Sequence, residues 1–195
     1  MTSGSGHPTR FPSLAQLESE LARVKRRNER MAYCLRACLV VVLAAAAVFV
    51  AMHWFPVLRV CGDSMSPTLE SGQILLAQRA ARIEPGSIVA FRHGDDVLLK
   101  RIIAGPGSIV DVYGDGTVEV DGRKLLEPYV AVPSRGAGDL SFPIRVPDGC
   151  YFVLGDNRSL SIDSRNSDIG CIPECEILGR VVARVWPFCE LEGTP

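Results

Sequence analysis

Three histidines in 195 residues, His7, His53 and His93, leave little from which to build a metal centre, and none stands at a ligand spacing from the seven cysteines. No cofactor is expected. The net charge is only −1, which removes the electrostatic case for nucleic-acid binding. No internal repeat is present, which excludes a solenoid or an array. The most informative absence is local: from Ala37 to Leu58 there is no Asp, Glu, Lys or Arg, and only His53 interrupts the apolar run. A helix of about 20 such residues crosses the hydrocarbon layer of a membrane. Being apolar on every side, it has no solvent face to offer as a soluble helix. A cleaved leader fits less well, because a long polar stretch precedes the run and no small-x-small site follows it.

The stretch ahead of the run divides in two. Residues 1–12 are rich in Gly, Ser, Pro and Thr and are expected to be disordered. Residues 13–36 read as a cytoplasmic amphipathic helix, opened by a capping box from Ser13 to Gln16. Before the span, Arg10, Arg23, Lys25, Arg26, Arg27, Arg30 and Arg36 face only Glu18, Glu20 and Glu29, so the N-terminus is expected in the cytoplasm and residues 59–195 outside. Leu14, Leu17, Leu21, Val24, Asn28 and Met31 alternate spacings of three and four. Two readings are open: a weak parallel homodimer through residues 14–31, with Glu20 and Lys25 at opposed flanking positions, or a single helix on the inner membrane surface beside anionic lipid.

Beyond the span, a transmembrane helix over residues 37–58, the pattern changes from helical to alternating. Strands are expected at Gln73–Gln78, Ser87–Arg92, Val97–Ile103, Ile109–Tyr113, Thr117–Val120, Tyr151–Leu154 and Leu178–Val185, separated by Gly- and Pro-containing turns. The fold class expected is an all-β domain of short antiparallel strands, with residues 131–143 as an irregular surface loop. Cys61, Cys150, Cys171, Cys175 and Cys189 lie in this domain, and five cysteines cannot all pair within one chain. Cys171 and Cys175 are close enough in sequence to form a small-loop disulfide in an oxidising compartment, a pairing that the sequence leaves open.

Three stretches carry chemistry. In Cys61-Gly62-Asp63-Ser64-Met65-Ser66-Pro67-Thr68-Leu69, a serine between Gly62 and Pro67 sits in a stiff turn with its hydroxyl free to act as a nucleophile, although the same residues also make an ordinary turn. In Leu98-Leu99-Lys100-Arg101-Ile102, strand alternation puts Lys100 on one face with Leu98 and Ile102. Desolvation there favours the neutral amine, a base able to take a hydroxyl proton. A snorkelling or edge-strand lysine is the alternative. The third stretch is Gly155-Asp156-Asn157-Arg158-Ser159-Leu160-Ser161-Ile162-Asp163-Ser164-Arg165, dense in hydrogen-bonding side chains directly after an apolar strand.

Together, in this order and behind one span, they resemble the type I signal peptidases, the membrane-bound family of Ser/Lys proteases, over residues 57–188. The resemblance implies Ser64 as nucleophile, with its backbone N–H as the main oxyanion donor. It implies Lys100 as general base, Ser161 as the hydroxyl that hydrogen-bonds and orients Lys100, and Asp156, Asp163 and Arg165 as supporting residues, with an Asp163–Arg165 ion pair. It places Leu58, Val60, Leu69 and Leu99 around shallow pockets for small residues, and exported preproteins as substrates. A lysine where the endoplasmic-reticulum relatives carry histidine points to the bacterial kind. Two departures stand out: glycine at position 62, where some members carry serine, and a run Asn166–Gly170 about two residues longer than usual that lacks the customary aromatic. Competing functions are a dedicated processing peptidase for one conjugation or pilus partner, a self-cleaving repressor, against which the span argues, and an inactive anchored β-module.

Overall fold

The computed structural model describes residues 14–79 and 81–187, in two compact units that divide between Val50 and Ala51. Residues 1–12, Ser13 with its capping box, and Cys189 lie outside the described residues. The first element is one helix, α1 (Leu14–Trp54), 41 residues long. It contains no Gly or Pro, so nothing in its sequence interrupts the hydrogen-bond ladder where a surface helix was expected to give way to a span at residue 37. At about 1.5 Å per residue it is roughly 60 Å long. It is the one helix among the described residues long and apolar enough to cross a membrane. Leu14, Leu17, Leu21, Val24 and Met31 are exposed along it.

The helix ends at Trp54, not at Leu58. Phe55 N still donates to Ala51 O at 2.9 Å, but Pro56 has no N–H and disfavours helical backbone at the residue before it. The chain turns at once into β1 (Val57–Arg59), which pairs antiparallel with β2 (Ile74–Gln78), Leu58 opposite Leu75.

The remaining strands are β3 (Ile88–His93), β4 (Asp96–Ala104), β5 (Ile109–Val112), β6 (Val118–Val120), β7 (Arg123–Lys124), β8 (Ile144–Arg145), β9 (Cys150–Leu154), β10 (Ile172–Pro173) and β11 (Ile177–Trp186), of which β7, β8 and β10 were not expected from the sequence. They form a seven-stranded sheet in the order β1-β2-β11-β3-β4-β9-β10 and a four-stranded sheet in the order β7-β6-β5-β8. All pairings are antiparallel. β4 is central to the packing. Leu99 packs on a cluster of Val60, Met65, Leu69, Leu75, Ile88 and Val181. Ile102 belongs to a second cluster with Val89, Phe91, Val153 and Ile172, against which Leu98 packs. Ile103 and Ala104 belong to a third, with Val110, Val112, Phe152 and Leu154.

Two features hold irregular segments in place. Residues 131–143 form neither helix nor strand, yet they are tied to Arg165, whose Nη1 donates to Ser134 O (3.2 Å) and Arg135 O (2.7 Å). A side chain at Gly138 would come within 2.7 Å of Arg165 Cβ. The second feature is an ion pair between residues 1% exposed, Arg101 and Asp156, bonded through Nε to Oδ1 (2.9 Å) and Nη2 to Oδ2 (2.6 Å). The Arg101 guanidinium stacks over the Tyr129 ring at 3.9 Å, and Tyr129 in turn donates to Glu127, the partner of Arg158.

Cys171 and Cys175 are separate free thiols, so the disulfide considered between them does not form. The short strand Ile172–Pro173 and a 3₁₀ turn at Glu174–Glu176 stand between them. Cys171 lies half-buried against the core beside Cys150. Burial, and then the neighbouring Cys150, push its thiol up to about 11.

Removing one partner of a buried, bidentate pair leaves the other charge uncompensated. Asp156→Ala is therefore expected to cost about 3–5 kcal/mol, read as a lowered urea midpoint for the full chain in detergent. A loss below about 0.5 kcal/mol, the range of an ordinary surface substitution, would show that Arg101 finds another partner.

Candidate active site

Ser64 sits in the turn that follows β1. Gly62 adopts φ +85°, a left-handed conformation that glycine alone enters without cost. Past the serine, Met65 and Leu69 are buried in the Leu99 cluster, and Leu69 N donates to Met65 O at 2.9 Å, so the turn is bolted to the core on one side. On the other side the third sequence stretch grips its backbone. Asn157 N donates to Ser64 O (3.0 Å) and Asn157 Nδ2 to Asp63 O (3.1 Å). This clamp was not read from the sequence, where Asn157 was one polar residue among many. Gly155 makes the approach possible, because a Cβ there would fall 2.5 Å from Ser64 O and 2.2 Å from Ser161 Oγ.

Lys100, in β4, is 3% exposed, and its Nζ donates to Ser64 Oγ at 2.8 Å. Strand alternation places it as expected, on the face opposite Leu99 and its cluster. Burial lowers the lysine pKa. Asp163 opposes this, Arg165 adds to it, and Asp156 opposes it more weakly. Neutral, the amine can accept the Ser64 proton across the same distance it now spans as donor.

Around this pair the carboxylates are tied to arginines. Asp163 takes bonds from Arg165 Nε and Nη2, both 2.8 Å, and from Gly155 N at 3.0 Å. The expected Asp163–Arg165 pair is therefore present and buried. Asp156 is held by Arg101, whose neighbour in the chain is Lys100, a partnership the sequence reading missed because Arg101 was placed only by strand face. Ser161 departs from expectation. Its Oγ is buried next to Ser64 but has no hydrogen-bond partner, and it packs over Gly155 instead of bonding Lys100. Its backbone is fixed on both sides: Ser161 N donates to Asn157 O (3.0 Å) and Ser161 O accepts from Arg165 Nη2 (3.2 Å).

Ser64 and Lys100 open into a cavity of about 490 Å³. Cys61, Gly62 and Asp63 line it from the serine turn, His93 and Leu98 from the β3–β4 hairpin, and Leu160, Ile162, Asp168 and Ile169 from the third stretch and the run after it. None of Leu58, Val60, Leu69 and Leu99, the apolar residues expected around the substrate, lines this cavity. Val60 and Leu69 are interior members of the Leu99 cluster, Leu99 packs against them, and Leu58 is half-buried in β1. Along β4, residues 96–101 pair with β3, while β9 pairs only from Arg101 onward. The second edge of Val97–Lys100 thus carries no strand among the described residues. Nor do those residues contain a group of three His, Cys, Asp or Glu side chains suited to holding a metal ion.

Residues 31–186 match the profile of the family described as signal peptidase, peptidase S26. Signal peptidase I of Bacillus amyloliquefaciens is 35% identical over 169 residues, covering 80% of this chain and 86% of that protein. Signal peptidase I S of Bacillus subtilis (strain 168) is 34% identical, covering 80% and 90%. Signal peptidase IB of Staphylococcus aureus is 35% identical, covering 67% and 78%. A solved signal peptidase I structure from Enterococcus faecalis V583 is 30% identical with a TM-score of 0.42, covering 52% of this chain and 98% of that one.

The burial of Lys100 can be tested without any substrate. The chain has three lysines, Lys25, Lys100 and Lys124. With ¹³C-lysine labelling, the Lys100 ε-carbon is expected to titrate below the ordinary lysine range, about 10.4. Titration within that range would mean that the amine is solvated.

Proposed function

The chain belongs to the signal peptidase family of proteases, and on that premise we propose that it removes N-terminal signal peptides from exported preproteins at the outer face of the cytoplasmic membrane, using a Ser64/Lys100 dyad. The observation that carries this reading is the 2.8 Å contact from a buried lysine amine to a serine hydroxyl in a pinned turn. The neutral Lys100 amine takes the Ser64 proton as Oγ bonds the scissile carbonyl carbon. The resulting oxyanion rests mainly on the Ser64 backbone N–H, since Gly62 has no side chain to add a donor. Collapse breaks the C–N bond, and Lys100 returns that proton to the leaving amine of the mature protein. Lys100 then deprotonates a water that hydrolyses the acyl ester, which frees the signal peptide carboxylate and restores Ser64. Ser161 Oγ, buried and unpartnered beside Ser64, is the group available to orient the amine once the serine has given up its proton.

The unpaired edge of Val97–Lys100 suits an extended substrate added as a strand. With a side-chain period of two, the first and third residues before the cut face the same way. Leu58 and Leu99 offer the apolar surface, and Val60 and Leu69, already packed, leave room only for small groups.

The seven-to-three excess of basic over acidic residues before the apolar run supports an N-in, single-pass orientation, with the charge-free part of the helix from Ala37 to Trp54 against membrane lipid. Because the helix continues unbroken out of the span, its exposed Leu14, Leu17, Leu21 and Val24 favour a weak parallel homodimer over a helix lying flat on the membrane.

The test is processing of a panel of unrelated preproteins by purified full-length protein in detergent. The wild type is expected to cut several of them, with Ser64→Ala lower by on the order of 10³-fold or more. Cutting of a single partner alone would point to a dedicated processing enzyme, and normal cutting by Ser64→Ala would overturn the dyad.

A further inference from the structure

The run Asn166–Gly170 is part of the cavity through Asp168 and Ile169. It folds as a compact turn: Asn166 N donates to Asp163 O, Gly170 N to Asn166 O, and Asp168 N to Asn166 Oδ1, each at 2.8 Å. Ser167 ties it outward to Asp139 through its N (2.7 Å) and Oγ (2.6 Å). Pinned in this way, the turn brings Asp168 and Ile169 to the cavity that holds Ser64 and Lys100.

Two other walls of that cavity have no role in the fold. Leu160 and Ile162, on either side of buried Ser161, are 66% and 64% exposed and belong to no core cluster. Large aliphatic side chains held in the open beside a nucleophile are suited to burying something that arrives with the substrate.

We propose that Leu160, Ile162 and Ile169 form the subsite for the first residue after the scissile bond, that this subsite prefers an aliphatic side chain, and that Asp168 at its rim disfavours an acidic one. The inference rests on the dyad reading and follows from its proton balance. The leaving amine must receive its proton from Lys100 Nζ, so in the tetrahedral intermediate it lies on the Lys100 side of the new bond, within roughly 2.6–3.2 Å of the amine. The residue that carries this nitrogen, the first of the mature protein, therefore enters the cavity around Lys100. The residues before the cut run along β4 toward Leu99, on the other face of the strand. Asp63 and Asp168 outnumber His93 as further ionisable groups on this wall, so an incoming carboxylate meets like charge.

The experiment is a set of otherwise identical preprotein-derived peptides with Leu, Ser, Lys or Asp directly after the cut, assayed by kcat/KM on the full-length protein. Leu is expected to exceed Asp by at least about tenfold, the scale on which an apolar pocket discriminates. Ile162→Ser and Leu160→Ser should bring Leu and Ser substrates close to parity. Asp168→Asn should raise the Asp peptide several-fold at low salt and leave the Leu peptide in its rank. These positions are exposed, so the variants are expected to fold. If cleavage depends on Ser64 but the ranking is flat, or the same in all variants, the subsite is wrong and the dyad stands. Cleavage that survives Ser64→Ala overturns both.

Discussion

A lysine amine can serve as a base near neutral pH only if the protein denies it solvent and does not then surround it with unpaired negative charge. Much of the β unit answers to that constraint. β4 carries Lys100 into the interior between two apolar clusters, and burial is the leading cause of its lowered pKa. The nearby carboxylates of Asp163 and Asp156 act the other way, and Arg165 offsets part of their effect. Each carboxylate is held in a bidentate pair, Asp156 by Arg101 and Asp163 by Arg165. The same arginines organise the surroundings. Arg165 reaches the backbone of the 131–143 loop, and Arg101 reaches Gly86 O and the Tyr129 ring. The pairs beside the amine thus also fix the loops that frame it.

The serine is positioned by a different kind of force. Its turn is held from below by the burial of Met65 and Leu69 and from the side by two hydrogen bonds from Asn157, at the closest approach that Gly155 allows. Backbone carbonyls, not the hydroxyl, take these bonds, so Oγ remains for Lys100. Ser161 fits the same scheme, its backbone locked at both ends and its hydroxyl left without a partner.

What the sequence made legible follows from how each feature is encoded. The long strands are apolar or alternating runs bounded by turn residues and were found within a residue or two of their ends, and the Lys100 face followed from the strand period of two. β1, β7, β8 and β10 have two or three residues each, too few to show any period, and exist because a longer neighbour pairs with them. The helix runs unbroken through residue 37, where composition changes and the backbone does not, and it ends at Trp54, short of Leu58, because of Pro56, which was read as part of an apolar run. Ser64 and Lys100, which the fold brings to 2.8 Å, were singled out by their stretches taken together with the family resemblance. The Asn157 clamp and the Arg101–Asp156 pair were not, since each depends on which residue of a polar loop turns toward a strand far away in sequence. The irregular run after Arg165 was seen only as a departure, and its place in the cavity depends on its tie to Asp139.

The central claim is that Lys100 acts as a neutral base and not as a fixed cation. The most direct measurement is the single-turnover cleavage rate against pH for the wild type and for Lys100→Arg. Because the active form is the deprotonated amine and burial lowers its pKa, the wild-type rate is expected to rise with pH and level off below the ordinary lysine range, about 10.4. Lys100→Arg keeps the charge but cannot deprotonate in this range, and is expected to be inactive at every pH. An arginine variant with near-normal turnover would show that position 100 supplies only a positive charge, and the account of the site would fail.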